Sequence, residues 1–292
     1  MPTETVPLEG RAPDDRTGKG AAPAARAGSA FSPARILWKL APLLFGIALL
    51  VAWQLLVRGF AIPKFVLPAP SEIIETLVRD FPSLFKALLF TLRVTLTGYA
   101  FALVIGIGLA LLMSASPLVN RILFPYAVVL QVTPLIAIAP LVMIWVGIQN
   151  TARAMIILSM LAAFFPILIN ALLGFKSYDR GLGDLFRLYG ATRFQFFSQL
   201  QFRSALPYLL AGMKISGALA LIGAVAAELV AGSGTSSGLA YVIFESGNRL
   251  NMARMFAAFA MLSITGVLIH SALSLLERVS LGSWHESAMQ RD

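Results

Sequence analysis

The chain has 292 residues, of which 58% are apolar and only 13% charged, with a mean hydropathy of +0.80. Soluble domains carry about 25% charged residues, so a water-soluble fold is excluded. The absence of cysteine removes disulfides, thiolate metal sites and thiol nucleophiles. The net charge of +9 is explained by membrane orientation rather than by nucleic acid.

Residues 1–34 are rich in Pro, Gly, Ala and charges and hold no apolar core, so a disordered cytoplasmic tail is expected. The tail lacks the short apolar region of a signal peptide. A transmembrane domain over 35–280 follows, then a short cytoplasmic tail over 281–292. Six runs match or approach the roughly 20 apolar residues that cross a bilayer: 40–57, 88–113, 122–146, 153–174, 208–230 and 254–277. They are continuous and show no period-two alternation, which predicts helices rather than barrel strands. Small residues such as Gly98, Ala102, Gly106 and Ala110 permit close helix contact. Between the first two runs, Leu67-Pro68-Ala69-Pro70 leads into a short amphipathic helix that Ser71 is placed to cap.

Charge sets the orientation. With the N-terminus in the cytoplasm, 15 of the 23 basic residues fall on the inner side, while Arg58, Lys64, Arg79, Lys86 and Arg93 are among those outside. Both termini, and the polar stretch at 176–206, are then cytoplasmic in a multi-pass bacterial inner-membrane protein. Arg93 is expected to snorkel to the interface.

That polar stretch is a basic island between two apolar runs. Asp184 to Tyr189 has helical character, and Gly190 supplies a stop. Thr192 starts a second helix with Gln195 as its capping-box partner, Arg203 closes that helix, and Pro207 suits the first turn of the fifth span. The expected object is a helix, a sharp turn and a helix presented to the cytoplasm.

Here the sequence resembles a known family. Asp184, then Gly190-Ala191-Thr192-Arg193, then Leu206-Pro207 are similar to the loop signature of permease subunits of binding-protein-dependent ABC importers. The run Thr133-Pro134 to Gly147, with Pro140 and Trp145 inside it, is similar to the nitrate, taurine and sulfonate branch. So are Phe164-Phe165-Pro166-Ile167, the run Gly223 to Glu228, and the Leu67-Pro68-Ala69-Pro70 lead-in. Two positions usually occupied by alanine are Leu185 and Phe186, which implies a more apolar docking surface.

The resemblance implies an all-α integral membrane fold of about six spans, of the type I importer kind, with a coupling loop formed by Asp184, Leu185, Phe186, Arg187, Gly190, Ala191, Arg193 and Pro207. It implies a separate ABC ATPase docked on that loop, a periplasmic or lipid-anchored substrate-binding protein, and a second permease copy, in a homodimer surrounded by membrane lipid. ATP and Mg are then used by the ATPase, and the chain binds no cofactor and is not an enzyme. This agrees with the residues themselves, because no G-x-x-x-x-G-K-[ST] phosphate loop is present and Gly18-Lys19-Gly20 lacks its hydroxyl partner.

Several residues carry two readings. Asp184 is either a docking contact or a solvated acid near a helix start. Glu228, near the outer end of the fifth span, either lines a gate and holds the loop 232–238 or is an interfacial acid satisfied by backbone amides. Pro134, Pro140 and Pro166 either shape a translocation path or fix packing kinks. Asn170 and Gln131 face a pore or bond across helices. The aromatics Phe194, Phe196, Phe197 and Phe202 anchor the island at the inner membrane surface. An ion-coupled secondary transporter is the alternative function; it would show repeated intramembrane carboxylates. An intramembrane enzyme would need a catalytic partner for His270.

Overall fold

A computed structural model describes residues 33–231 and 238–281. The expected tails lie outside the described residues, apart from their innermost positions, as does nearly all of the loop 232–238. The chain divides into two compact units, residues 1–49 and 50–292. The described part of the first is the N-terminal portion of helix α1 (Pro33–Gly59).

The described residues of the second unit form helices joined by turns and short irregular segments, without strands. After the end of α1 come α2 (Pro70–Arg79), α3 (Phe81–Ala115), α4 (Pro117–Val132), α5 (Leu135–Val146) and α6 (Thr151–Phe175). The island forms α7 (Arg180–Leu188) and α8 (Arg193–Gln195); a π-helical turn at Phe196–Gln201 then joins α8 to α9 (Phe202–Ala231). Helices α10 (Leu239–Asn248) and α11 (Met252–Leu281) complete the described residues. Among the described residues, five helical stretches are long and apolar enough to cross a membrane, and α4 with α5 makes a sixth if the bent pair is counted as one span.

Two expectations need correction. The third span is not one helix over 122–146: α4 and α5 meet at a 103° bend at Thr133 and Pro134. The apolar run is unbroken there, but Pro134 has no N–H for a helical bond and disfavours helical geometry at Thr133. The fifth span likewise does not begin afresh at Pro207. Arg193–Ala231 forms one 39-residue helical stretch with Pro207 inside it. A π turn upstream and a proline within the helix are both accommodated in so long an element.

Helix α6 is the axis of the unit, packed along α3 on one side and α9 on the other. Small residues make that approach possible. A Cβ on Gly98 of α3 would lie 2.7 Å from the Ser159 side chain of α6. One on Gly223 of α9 would lie 2.5 Å from the Ala162 methyl of α6. The Ser159 hydroxyl also donates to the Ala220 carbonyl of α9 at 2.9 Å, so the contact is bonded as well as close. In a bilayer such packing and interhelical bonding hold helices together, since lipid tails are as apolar as leucine.

At one end of the bundle, Ile73 of α2, Leu84 of α3, Leu239 and Val242 of α10, and Ala257 and Met261 of α11 form a separate buried cluster. The Ser71 expectation is corrected here. Ala69 is the N-cap of α2, and Ser71 instead accepts hydrogen bonds from Gln54 and Arg58 of α1. Glu72 turns back to accept from the Ala69 N–H at 3.4 Å. Its bond to Lys64 Nζ, 2.7 Å away, holds the carboxyl below its ordinary range.

The close α6–α9 contact gives a direct expectation. Gly223→Leu should lower stability by about 1–3 kcal/mol, since an overpacked core must shift to admit the side chain. Thermal unfolding in detergent checks this, and an unchanged midpoint would show that the two helices are not tightly apposed.

Candidate functional site

The island is held as a small rigid module. Asp179 is the N-cap of α7, its Oδ1 accepting from the Gly181 and Leu182 N–H groups at 2.6 and 3.1 Å. The helix therefore starts earlier than expected, and Asp184 lies within it rather than at its start. Asp184 is exposed and 3.3 Å from Arg187 one turn on, a pairing that contributes little in water.

The far end of α7 closes in a Schellman motif. Gly190 N–H donates to the Arg187 carbonyl at 3.1 Å, and Ala191 N–H to the Phe186 carbonyl at 3.0 Å. Gly190 has φ +69°, a left-handed conformation that glycine adopts without strain. The next residue but one, Thr192, opens the following helix with the expected capping box. Thr192 N–H donates to Gln195 Oε1 at 2.9 Å, and Gln195 N–H to Thr192 Oγ1 at 3.3 Å. One residue, Ala191, separates the two caps, so the turn has little freedom.

Phe196 is the post against which α7 rests. The ring of Tyr178 meets it edge-on with centroids 5.3 Å apart, and that of Phe186 does so at 6.2 Å. Gly183 is buried beneath the Tyr178 ring, which a Cβ would approach to 3.0 Å. The module is tied back to the spans by Gln201 Nε2 donating to the Phe175 carbonyl and by Ser177 Oγ donating to the Ser204 carbonyl.

This packing divides the positions expected to make a more apolar surface. Phe186 is turned inward onto Phe196, whereas Leu185 remains exposed. Leu185 belongs to an outward ridge with Leu182 and Tyr189, at helical spacing, and Leu188 is 85% exposed beside it. A groove of about 440 Å³ runs between this ridge and the next helix, lined by Leu185, Phe186, Tyr189, Gly190, Ala191, Gln195 and Gln199. The other flank of α7 carries Arg180, Asp184 and Arg187. One flank is apolar and one charged.

The structure gathers Asp184, Leu185, Phe186, Arg187, Gly190, Ala191 and Arg193 into this module. Pro207 is farther along the long helix, about 20 Å from Arg193 at 1.5 Å per residue. The other singled-out residues are dispersed. Pro134 caps α5 at the bend, and Pro140 is exposed within α5. Asn170 is half-buried on α6, donating to the Pro166 carbonyl at 2.8 Å and facing the backbone of Gly212 on α9.

Glu228 is 2% exposed. Its carboxylate accepts from the Tyr241 N–H of α10 and from the Thr91 hydroxyl of α3, both at 3.1 Å. Thr91 Oγ1 accepts in turn from the Leu239 N–H at 2.9 Å. A backbone amide and a hydroxyl thus bond this acid. Thr91 and Asp179 were not singled out in the sequence. The Asp-Arg-Gly order at 179–181 is an ordinary N-cap signal, whereas Thr91 is 137 residues from its partner and carries no local signal.

Comparison with known proteins identifies the family. Residues 102–280 match the family described as the inner membrane component of binding-protein-dependent transport systems. The chain is 35% identical to a formylaminopyrimidine transport permease protein of Halalkalibacterium halodurans, over 83% of this chain and 95% of that one. It is 31% identical to a taurine transport system permease protein of Escherichia coli, over 81% and 86% of the two chains. A nitrate import permease protein of Synechocystis is 26% identical over 78% and 84%. Among solved structures, an inward-facing form of the MetNI methionine ABC transporter superposes with a TM-score of 0.57. It covers 65% of this chain and 93% of that one at 20% identity, which establishes the fold alone. The chain belongs to the binding-protein-dependent ABC importer permeases, in the branch that includes sulfonate, taurine and nitrate systems.

Proposed function

We propose that this chain forms the membrane path of an ATP-driven importer and is driven through α7 by a separate ATPase subunit. The observation that carries the reading is the outward ridge of Leu182, Leu185 and Tyr189, fixed by two helix caps and the Phe196 post. Exposed apolar side chains on an ordered polar loop mark a docking surface. The ridge seats in a groove of the ATPase, and Asp184 and Arg187 meet its charged rim. ATP and Mg are bound by that subunit; this chain holds no cofactor and carries out no covalent chemistry.

Two copies pair around the path, and an external binding protein delivers the solute. The island and both termini face the cytoplasm of a bacterial inner membrane, following the distribution of basic residues. The solute is small and polar or anionic. Support for this comes from the relatives, which are named for formylaminopyrimidine, taurine, aliphatic sulfonates and nitrate. ATP binding closes the motor, α7 moves with it, and the path changes from inward-facing to outward-facing.

Gly190→Val forces a β-branched residue into left-handed geometry, at a cost of order 1–3 kcal/mol. Space is not the obstacle, since nothing lies within 4 Å of a Cβ there. The expected outcome is normal membrane insertion with solute uptake uncoupled from ATP hydrolysis in reconstituted vesicles; unchanged transport would sink the docking assignment. Leu185→Glu should weaken ATPase capture at least tenfold in pull-down titrations, through loss of an apolar contact and burial of a charge. A reporter fused after Arg187 should register as cytoplasmic, and an external signal would overturn the orientation.

A further inference from the structure

The long helix begins at the Thr192 cap, one residue beyond the Schellman motif of α7, and ends at Ala231. From Arg193 to Glu228 it spans roughly 50 Å at 1.5 Å per residue. Its α6-facing side is made of small residues, including Gly212, Ala220 and Gly223. Such a side fits closely, and the Ser159 hydroxyl bonds across it to the Ala220 carbonyl.

At the far end the character of the contact changes. Glu228 is gripped by the first turn of α10 and by α3. Its two carboxylate oxygens take the Tyr241 N–H and the Thr91 hydroxyl, while Thr91 also holds the Leu239 N–H. The helix dipole of α10 adds to the attraction for a carboxylate at this place. Gly238 leaves room for the arrangement, because a Cβ there would collide with Thr91 Oγ1 and both Glu228 oxygens. Packing alone does not call for a buried acid at this point. An apolar residue of similar size, such as leucine, would fill it without desolvating a carboxyl group.

We propose that Glu228 is a positioning residue that makes α10 follow α9, so that displacement begun at α7 is delivered to the opposite end of the bundle. This rests on the reading of α7 as the ATPase docking helix. A shift or rotation of α9 must carry the first turn of α10 with it or break the Glu228–Tyr241 bond. Helix α10 in turn packs through Leu239 and Val242 into the cluster that joins α2, α3 and α11. The device converts motion of one helix into motion of a surface.

Amide hydrogen exchange on the complete transporter in nanodiscs tests this, with permease and ATPase subunits assembled and the nucleotide-free and ATP-trapped states compared. In the wild type, the amides of Leu239 and Tyr241 should differ between the two states by about tenfold, alongside a change in α7. Glu228→Leu, which removes the acceptor for the Tyr241 N–H, should reduce the difference at α10 to less than about twofold while leaving that at α7 intact. Thr91→Val should act in the same direction, and Thr91→Ser, which keeps the hydroxyl, should restore the response. A purely structural role would alter protection equally in both states and leave their difference unchanged. A wild-type response at α7 with none at α10 overturns the inference, as does a full α10 response in Glu228→Leu. Silence at α7 in the wild type overturns the docking reading, and the inference with it.

Discussion

The close approach of α6 to α3 and α9 is the constraint from which the rest follows. In a bilayer there is no hydrophobic gain from burying one apolar helix against another, so helices associate through contact and interhelical bonds. Gly98, Gly212 and Gly223 bring backbones near enough for both. The Ser159 hydroxyl then reaches the Ala220 carbonyl, and the Tyr99 hydroxyl reaches the Met213 carbonyl at 2.9 Å. With α9 fixed in direction by these contacts, its two ends determine where the island and the Glu228 node stand.

Local chemistry then builds the island without help from a large core. Two caps, separated by Ala191, use hydrogen bonds that the backbone must make somewhere, and Phe196 supplies the hydrophobic support. The residues left over, Leu182, Leu185, Leu188 and Tyr189, remain exposed among the described residues. Internal rigidity and external incompleteness occur in the same nine-residue helix.

Much of this was legible in the sequence, because uninterrupted apolar length reports a span directly and caps are coded within four residues. The Gly190 stop and the Thr192–Gln195 box were readable for that reason. Other features depend on contacts that no local pattern encodes. Phe186 reads as an outward departure from a small-residue position, but Phe196, ten residues on, draws it inward. Pro207 reads as a helix start, yet the π turn and the α6 contact carry the helix through it. Proline is ambiguous by nature: Pro134 breaks its span and Pro207 does not. Glu228 was visible as an oddity, whereas Thr91, which bonds to it, was not.

The corner between α4 and α5 has a further meaning for how the chain can exist in lipid. Its arms have 16 and 12 residues, or about 24 and 18 Å, so neither alone crosses a hydrocarbon layer about 30 Å thick. A bend leaves the last carbonyls of one arm and the first N–H groups of the other outside the helical ladder. Lipid tails offer them nothing, so wherever that corner lies at hydrocarbon depth it must be bathed in water or sheathed in protein. A monomer surrounded only by acyl chains is therefore an unfinished object. Its own backbone calls for either a hydrated cavity or a neighbouring polypeptide at the elbow.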